Sequence, residues 1–186
     1  MGEHSDVIDL LVAQHGRIRD LFDEVEQAHD GDRAERLRRL VGLLAVHETA
    51  EEEIVHPYAR RRLDGGDAVV ADRLREENQA KRLLADLDRG GVDHPDFASN
   101  LARLRAAVTA HARGEERYEF ARLRASTSAA ERRAMAVAVR AAEALAPTHP
   151  HPGTESAAGN LLMGTPLALM DRARDAIRDA LGKSHA

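Results

Sequence analysis

Two segments of the chain place a glutamate four residues after a histidine on an otherwise apolar stripe. In H-E-T-A-E-E-E-I-V-H-P-Y, residues 47–58, the pair is His47 and Glu51; in L-A-R-L-R-A-A-V-T-A-H-A-R-G-E-E-R-Y-E-F, residues 101–120, it is His111 and Glu115. On a helix, side chains four apart project from one face about a turn apart, where imidazole and carboxylate can converge on one metal or on adjacent metals. Leu37, Leu40 and Leu44 lead up to His47, and Leu101, Leu104 and Val108 lead up to His111, so each pair interrupts a stripe that faces the core. An ionised carboxylate in that setting costs several kcal/mol, roughly the scale for buried ions, unless it is paired or coordinated. A bound cation removes the cost. One such pair is weak evidence, because a hydrogen-bonded core histidine is common; two with closely similar flanks are much harder to ascribe to chance.

The elements that carry these pairs read as four long helices. The first runs from Ser5 or Asp6, either of which can cap it, to about His29, with Ile8, Leu11, His15, Ile18, Phe22 and Val25 on its stripe. His15 therefore belongs to the core, as an ordinary hydrogen-bonded histidine or as a further ligand. The second spans Asp32 to about Leu63, with Pro57 expected to kink it or end a helical stretch and Gly65-Gly66 closing it. The third covers about Asp67 to Asp88, with Val70, Leu74, Glu77, Leu84 and Leu87 facing inward. Aligning Leu21-Phe22 with Leu83-Leu84 sets Glu77 opposite His15, so the chain reads as a duplicated helix pair. The alternative for Glu77 is an ion pair with Arg73 or Lys81 on a solvated edge. The fourth helix starts near Pro95 and continues to about Ala125.

Beyond it, Ser128 and Glu131 stand in capping-box spacing and open a shorter helix through Leu145. The prolines of residues 147–153 preclude regular helix, and this segment reads as an extended linker, His149 and His151 included. A last amphipathic segment, about Pro166 to Leu181, carries Leu167, Met170, Ile177 and Leu181 at helical spacing and is expected to dock on the bundle or on a second copy of the chain as a homodimer. The expected architecture is all-α: an up-down-up-down four-helix bundle over residues 1–125 with additional C-terminal helices over residues 126–186.

Composition narrows the chemistry. A net charge of -5 over 186 residues gives no basic footprint for nucleic acid. The absence of cysteine removes disulfides, thiolate ligands and Cys nucleophiles together. Any metal must be held by His, carboxylate or Tyr, which suits iron, manganese or zinc. No apolar run reaches membrane-spanning length and the N-terminus lacks a basic region followed by an apolar core, so a soluble cytoplasmic protein is expected. There is no Gly-rich phosphate loop or nucleophile-triad order.

These residues resemble the hemerythrin-like, or HHE cation-binding, family. The resemblance rests on His15, on His47-x-x-x-Glu51 followed by Glu52, Glu53 and Pro57, and on His111-x-x-x-Glu115-Glu116, over roughly the first 125 residues. It implies two non-haem irons inside the bundle, bridged by Glu51 and Glu115 and terminally ligated by the histidines, with an oxo or hydroxo bridge left open. Glu77 stands where the family has a histidine. As a ligand it adds a third carboxylate, favours the harder ferric ion and lowers the reduction potential. Tyr118, three past Glu115, and Tyr58, seven past Glu51, are expected on the same face, as phenolate ligands, hydrogen-bond donors or simply packed core residues. Three functions follow: reaction with or sensing of O2, H2O2 or NO, including peroxide decomposition of the catalase kind; iron storage or buffering without turnover; or a metal-free helical interaction module.

Overall fold

Each long helix is set by its apolar period and its ends. In a computed structural model of the chain, residues 6–143 other than Asp30 are described, together with Asp175 and Arg178. Helix α1, Val7–Glu26, starts at Asp6, whose Oδ1 accepts hydrogen bonds from the backbone N–H groups of Ile8 and Asp9 at 3.0 and 3.2 Å. Its buried face runs through Leu11, His15, Ile18, Phe22 and Val25, the stripe that its period requires.

The second rod is a composite. Helix α2, Arg33–Ala50, passes into a π-helical turn, Glu51–Val55, and continues as α3, His56–Arg62. Pro57 therefore does not end the helix. It enters at the start of α3, just after the wide turn in which the His56 N–H reaches back to the Glu51 carbonyl, so the regular i to i−4 ladder that a proline disrupts is already interrupted. Gly65, at φ 71° in the left-handed region, then reverses the chain. A Cβ on Gly66 would strike the Ala59 carbonyl, so α3 and the next helix meet backbone to backbone.

Helix α4, Gly66–Gly90, is followed by a rod built like the second: α5, Phe97–Gly114, a π-helical turn over Glu115–Glu119, and α6, Phe120–Ser126. Helix α7, Ala129–Glu143, opens on the expected capping box, with the Ser128 N–H donating to Glu131 Oε2 at 2.7 Å and the Glu131 N–H to Ser128 Oγ at 3.2 Å. The rods α1, α2–α3, α4 and α5–α6 form the four-helix bundle, and α7 lies across α1 and α2 at one end. Asp6 ties this end together, its Oδ2 accepting from Arg132 Nε at 2.7 Å and Arg124 Nη1 at 3.3 Å. The proline-rich linker and the C-terminal amphipathic segment fall outside the described residues, apart from Asp175 and Arg178. Among the described residues no helix is long and apolar enough to cross a membrane.

The core is divided. One apolar cluster gathers Leu11, Ile54, Phe120, Leu123, Met135 and Val139 at the α7 end; another gathers Phe22, Leu40, Leu44, Leu84, Leu87 and Leu104 at the other. Between them lies a layer of buried histidines and glutamates.

Candidate metal centre

The polar layer draws on all four rods. His15 comes from α1, His47 from α2, Glu51 from the first π turn, Glu77 from α4, His111 from α5 and Glu115 from the second π turn. All six are buried, with Glu51 and Glu115 at 0 % exposure. Ligand atoms of His15, His47, Glu51 and Glu115 lie within 4.8 Å of one another, and so do those of Glu51, Glu77 and His111. The two groups share Glu51. The alternative for Glu77, an exposed pair with Arg73 or Lys81, is overturned by its 1 % exposure. Arg73 instead contacts Glu76 and Glu119, and Lys81 contacts Glu52 and Glu48.

Three imidazoles are oriented in the same way. His15 Nδ1 lies 2.8 Å from Glu116 Oε1, His47 Nδ1 2.7 Å from Gln14 Oε1, and His111 Nδ1 3.1 Å from Glu76 Oε2. With each Nδ1–H donated outward, every Nε2 points into the layer, where it can ligate a metal once its proton is lost. There His15 Nε2 and His47 Nε2 face each other at 3.1 Å, His47 Nε2 stands 3.1 Å from Glu51 Oε1, and His111 Nε2 stands 3.3 Å from Glu51 Oε2 and 3.5 Å from Glu115 Oε2. Gln14 is itself held, its Nε2 donating to Glu143 Oε1 of α7 at 2.7 Å. The segment beyond the bundle thus reaches the His47 ring through one amide.

Electrostatics describe the same layer as short of a cation. Burial pushes the Glu51 carboxyl upward, but His47 and His111 hold it well below the usual carboxylate range; Glu115 is raised, first by burial and then by the charge on Glu51. His111 is pushed up to about 11, the loss of water at the buried ring being outweighed by Glu115 and Glu51. Glu77 Oε2 and Glu115 Oε1 are buried without a hydrogen-bond partner, while Glu51 Oε1 and Glu115 Oε2 meet only ring nitrogens of the same layer, His47 Nε2 at 3.1 Å and His15 Nε2 at 3.3 Å. Unpartnered buried carboxylate oxygens are costly, and a metal ion satisfies them directly. Imidazole and carboxylate donors suit iron, manganese or zinc, so the residues present fit a metal.

The profile of the hemerythrin HHE cation-binding domain matches residues 6–123. The chain belongs to the hemerythrin HHE cation-binding family. No curated protein and no solved structure matches it. The family supplies cation binding as the general property, and the buried histidine and glutamate cluster is where this member of it can hold a metal.

The tyrosines fall elsewhere. Tyr118 is 59 % exposed under the Arg117 guanidinium, because the π turn over Glu115–Glu119 changes the angular step that would have carried it inward from Glu115. Tyr58 is half-buried, packed on the apolar cluster near α7 with Arg61 over its ring. Helical period from Glu51 gives His56 no place in the site, yet it is 2 % exposed with Nε2 2.6 Å from Glu77 Oε1. Five residues after Glu51 on an α-helix, it would sit roughly 140° round the axis; the π turn brings it most of the way back to the Glu51 face. Glu119 is also buried, at 2 % exposure, and is pushed up to about 7 by burial and by Glu115. Gln14 and Glu116 gave one usable signal, since both are polar residues adjoining a core position.

Proposed function

We propose that the chain is a non-haem di-iron protein that reacts with or senses O2, H2O2 or NO. The observation that carries this reading is the set of three imidazoles with Nδ1 tethered outward and Nε2 converging on Glu51 and Glu115. Two overlapping ligand groups with Glu51 in common support two metal positions, with Glu51, and Glu115 beside it, placed to lie between them. Iron bound there supplies electron exchange with a small oxidant or ligand.

The chain's own residues define what such a molecule can be. A cavity of about 10 Å³ lies beside His15, walled by Ile18, Arg19, Phe22, Val108 and Ala112, and another of about 10 Å³ lies by Glu48 and Lys81. Roughly 10–15 Å³ is what one water requires, so each space holds at most one water-sized molecule and organic substrates do not fit it. The apolar clusters above and below the polar layer keep bulk water away and strengthen the electrostatic contacts inside it. Glu116, Gln14 and Glu76 fix the histidine tautomers and raise the basicity of the inward nitrogens.

Iron analysis of the purified protein tests the reading, with two irons per chain expected. Peroxide consumption with and without iron then separates a reactive centre from a store that holds iron without turnover. A chain that takes up no metal refutes both.

A further inference from the structure

The two π-turn rods repeat the same ligand pair but differ at the buried position five residues past the glutamate. His47 and Glu51 in the second rod correspond to His111 and Glu115 in the fourth; five residues past the glutamate stands His56 in one and Phe120 in the other. The partners on the neighbouring helices differ as well. Phe120 stacks on the His15 ring, centroids 5.9 Å apart and planes 10° from parallel, whereas His56 meets Glu77, the counterpart of His15. Where one half pairs a ligand imidazole with an apolar ring, the other pairs a carboxylate with an imidazole.

We propose that His56 is the positioning residue for Glu77: its ring N–H, donated to Oε1, holds the carboxylate so that Oε2 alone is presented to the metal shared with Glu51 and His111. The contact is 2.6 Å between two side chains at most 2 % exposed. Glu77 Oε2 is buried without a protein partner, which leaves it as the free ligating atom. A carboxylate with one oxygen occupied binds through the other, so the pair prevents chelation and keeps one coordination position on that metal for a small molecule. His56 itself stands outside the group formed by Glu51, Glu77 and His111. Phenylalanine in its place, as in the other half of the repeat, would leave Glu77 free to swing and chelate.

This inference rests on the metal-binding reading of the site, and the experiment separates the two. The full chain is labelled with [15N]histidine, loaded with zinc(II) as a diamagnetic probe, and observed by long-range 1H–15N correlation; His56 is assigned by its absence in His56→Gln. Three rings with a zinc-shifted nitrogen, and a His56 Nε2 that bears a proton and lacks that shift, are expected. A zinc-bound or unprotonated His56 Nε2 overturns the inference while leaving the metal site intact; failure of zinc, iron and cobalt(II) to bind the wild-type protein at all overturns the site reading with it. In cobalt(II)-loaded protein, His56→Phe is expected to lower the visible d–d absorptivity about twofold as the coordination number rises, and His56→Gln, which keeps a donor near the same place, to retain the wild-type spectrum. Identical spectra in all three proteins, or the same change in both variants, refute the positioning role.

Discussion

Replacing Glu51 by Gln removes the one carboxylate common to both ligand groups, and its effect can be sized. Glu51 is fully buried, with Oε1 3.1 Å from His47 Nε2 and Oε2 3.3 Å from His111 Nε2. At a free metal concentration a hundredfold above Kd, each bound ion stabilises the native state by about 2.7 kcal/mol, hence about 5 kcal/mol for two. In a bundle of this size, about 3–5 °C of Tm accompanies each kcal/mol, so metal raises the wild-type Tm by about 15–25 °C. In Glu51→Gln that rise should vanish, and with it both equivalents of bound metal. The metal-free variant should also be less stable than the metal-free wild type by about 2–4 kcal/mol, since His47 and His111 lose their buried carboxylate while the amide oxygen retains part of the hydrogen bonding. Calorimetry of both proteins, stripped and reloaded, with metal analysis of each sample, measures all three quantities. A variant that keeps two metals and the full metal-dependent rise refutes the shared role of Glu51.

Glu143→Ala should release the Gln14 amide that orients His47 and weaken metal binding about tenfold, the lower end for outer-shell changes; competition against a chromophoric chelator measures it, and unchanged affinity would disconnect α7 from the site. His111 is held at about 11 in the metal-free protein against an ordinary 6.5, so its contribution to stability is complete below pH 6.5 and lost as pH rises through 11. Metal must displace the same proton, so loading at pH 7 should release acid and tighten as pH rises; calorimetric titration in buffers of different ionisation enthalpy that detects no proton release contradicts this. Asp6→Ala removes an N-cap worth about 1 kcal/mol and the buried carboxylate that holds Arg132 and Arg124, and should cost about 2–4 kcal/mol in denaturant unfolding with the slope unchanged. Tyr118→Phe should leave the visible spectrum of the iron-loaded protein as it was, because the side chain is exposed; loss of a charge-transfer band would reinstate it as a ligand.

Sequence alone determined the parts of this protein that follow from helical period. Leu37, Leu40, Leu44 and His47 recur at threes and fours, as do Leu101, Leu104, Val108 and His111, and that recurrence specifies both the helices and the face that each presents to the core. The burial of His15 on α1 followed from the same arithmetic, and capping chemistry marked the start of α7 at Ser128 and Glu131; for the α1 cap it offered Ser5 or Asp6, and for Glu77 an inward place or a solvated ion pair, and the structure decided for Asp6 and for burial. The period fails where the helix leaves it. Two π turns begin at Glu51 and Glu115, and past each the angular step changes: Tyr118 leaves the interior, His56 enters it, and Pro57 no longer ends its rod. Nothing in the local sequence marks a wide turn, whose extra residue is stabilised by what the displaced side chains then meet across the bundle. The tethers from Glu116, Gln14 and Glu76, and the reach of Glu143 from α7, likewise join residues of separate helices, and long-range contacts of that kind leave no period to read. Packing of the four rods decided which polar neighbours of the core histidines face another helix and which face water.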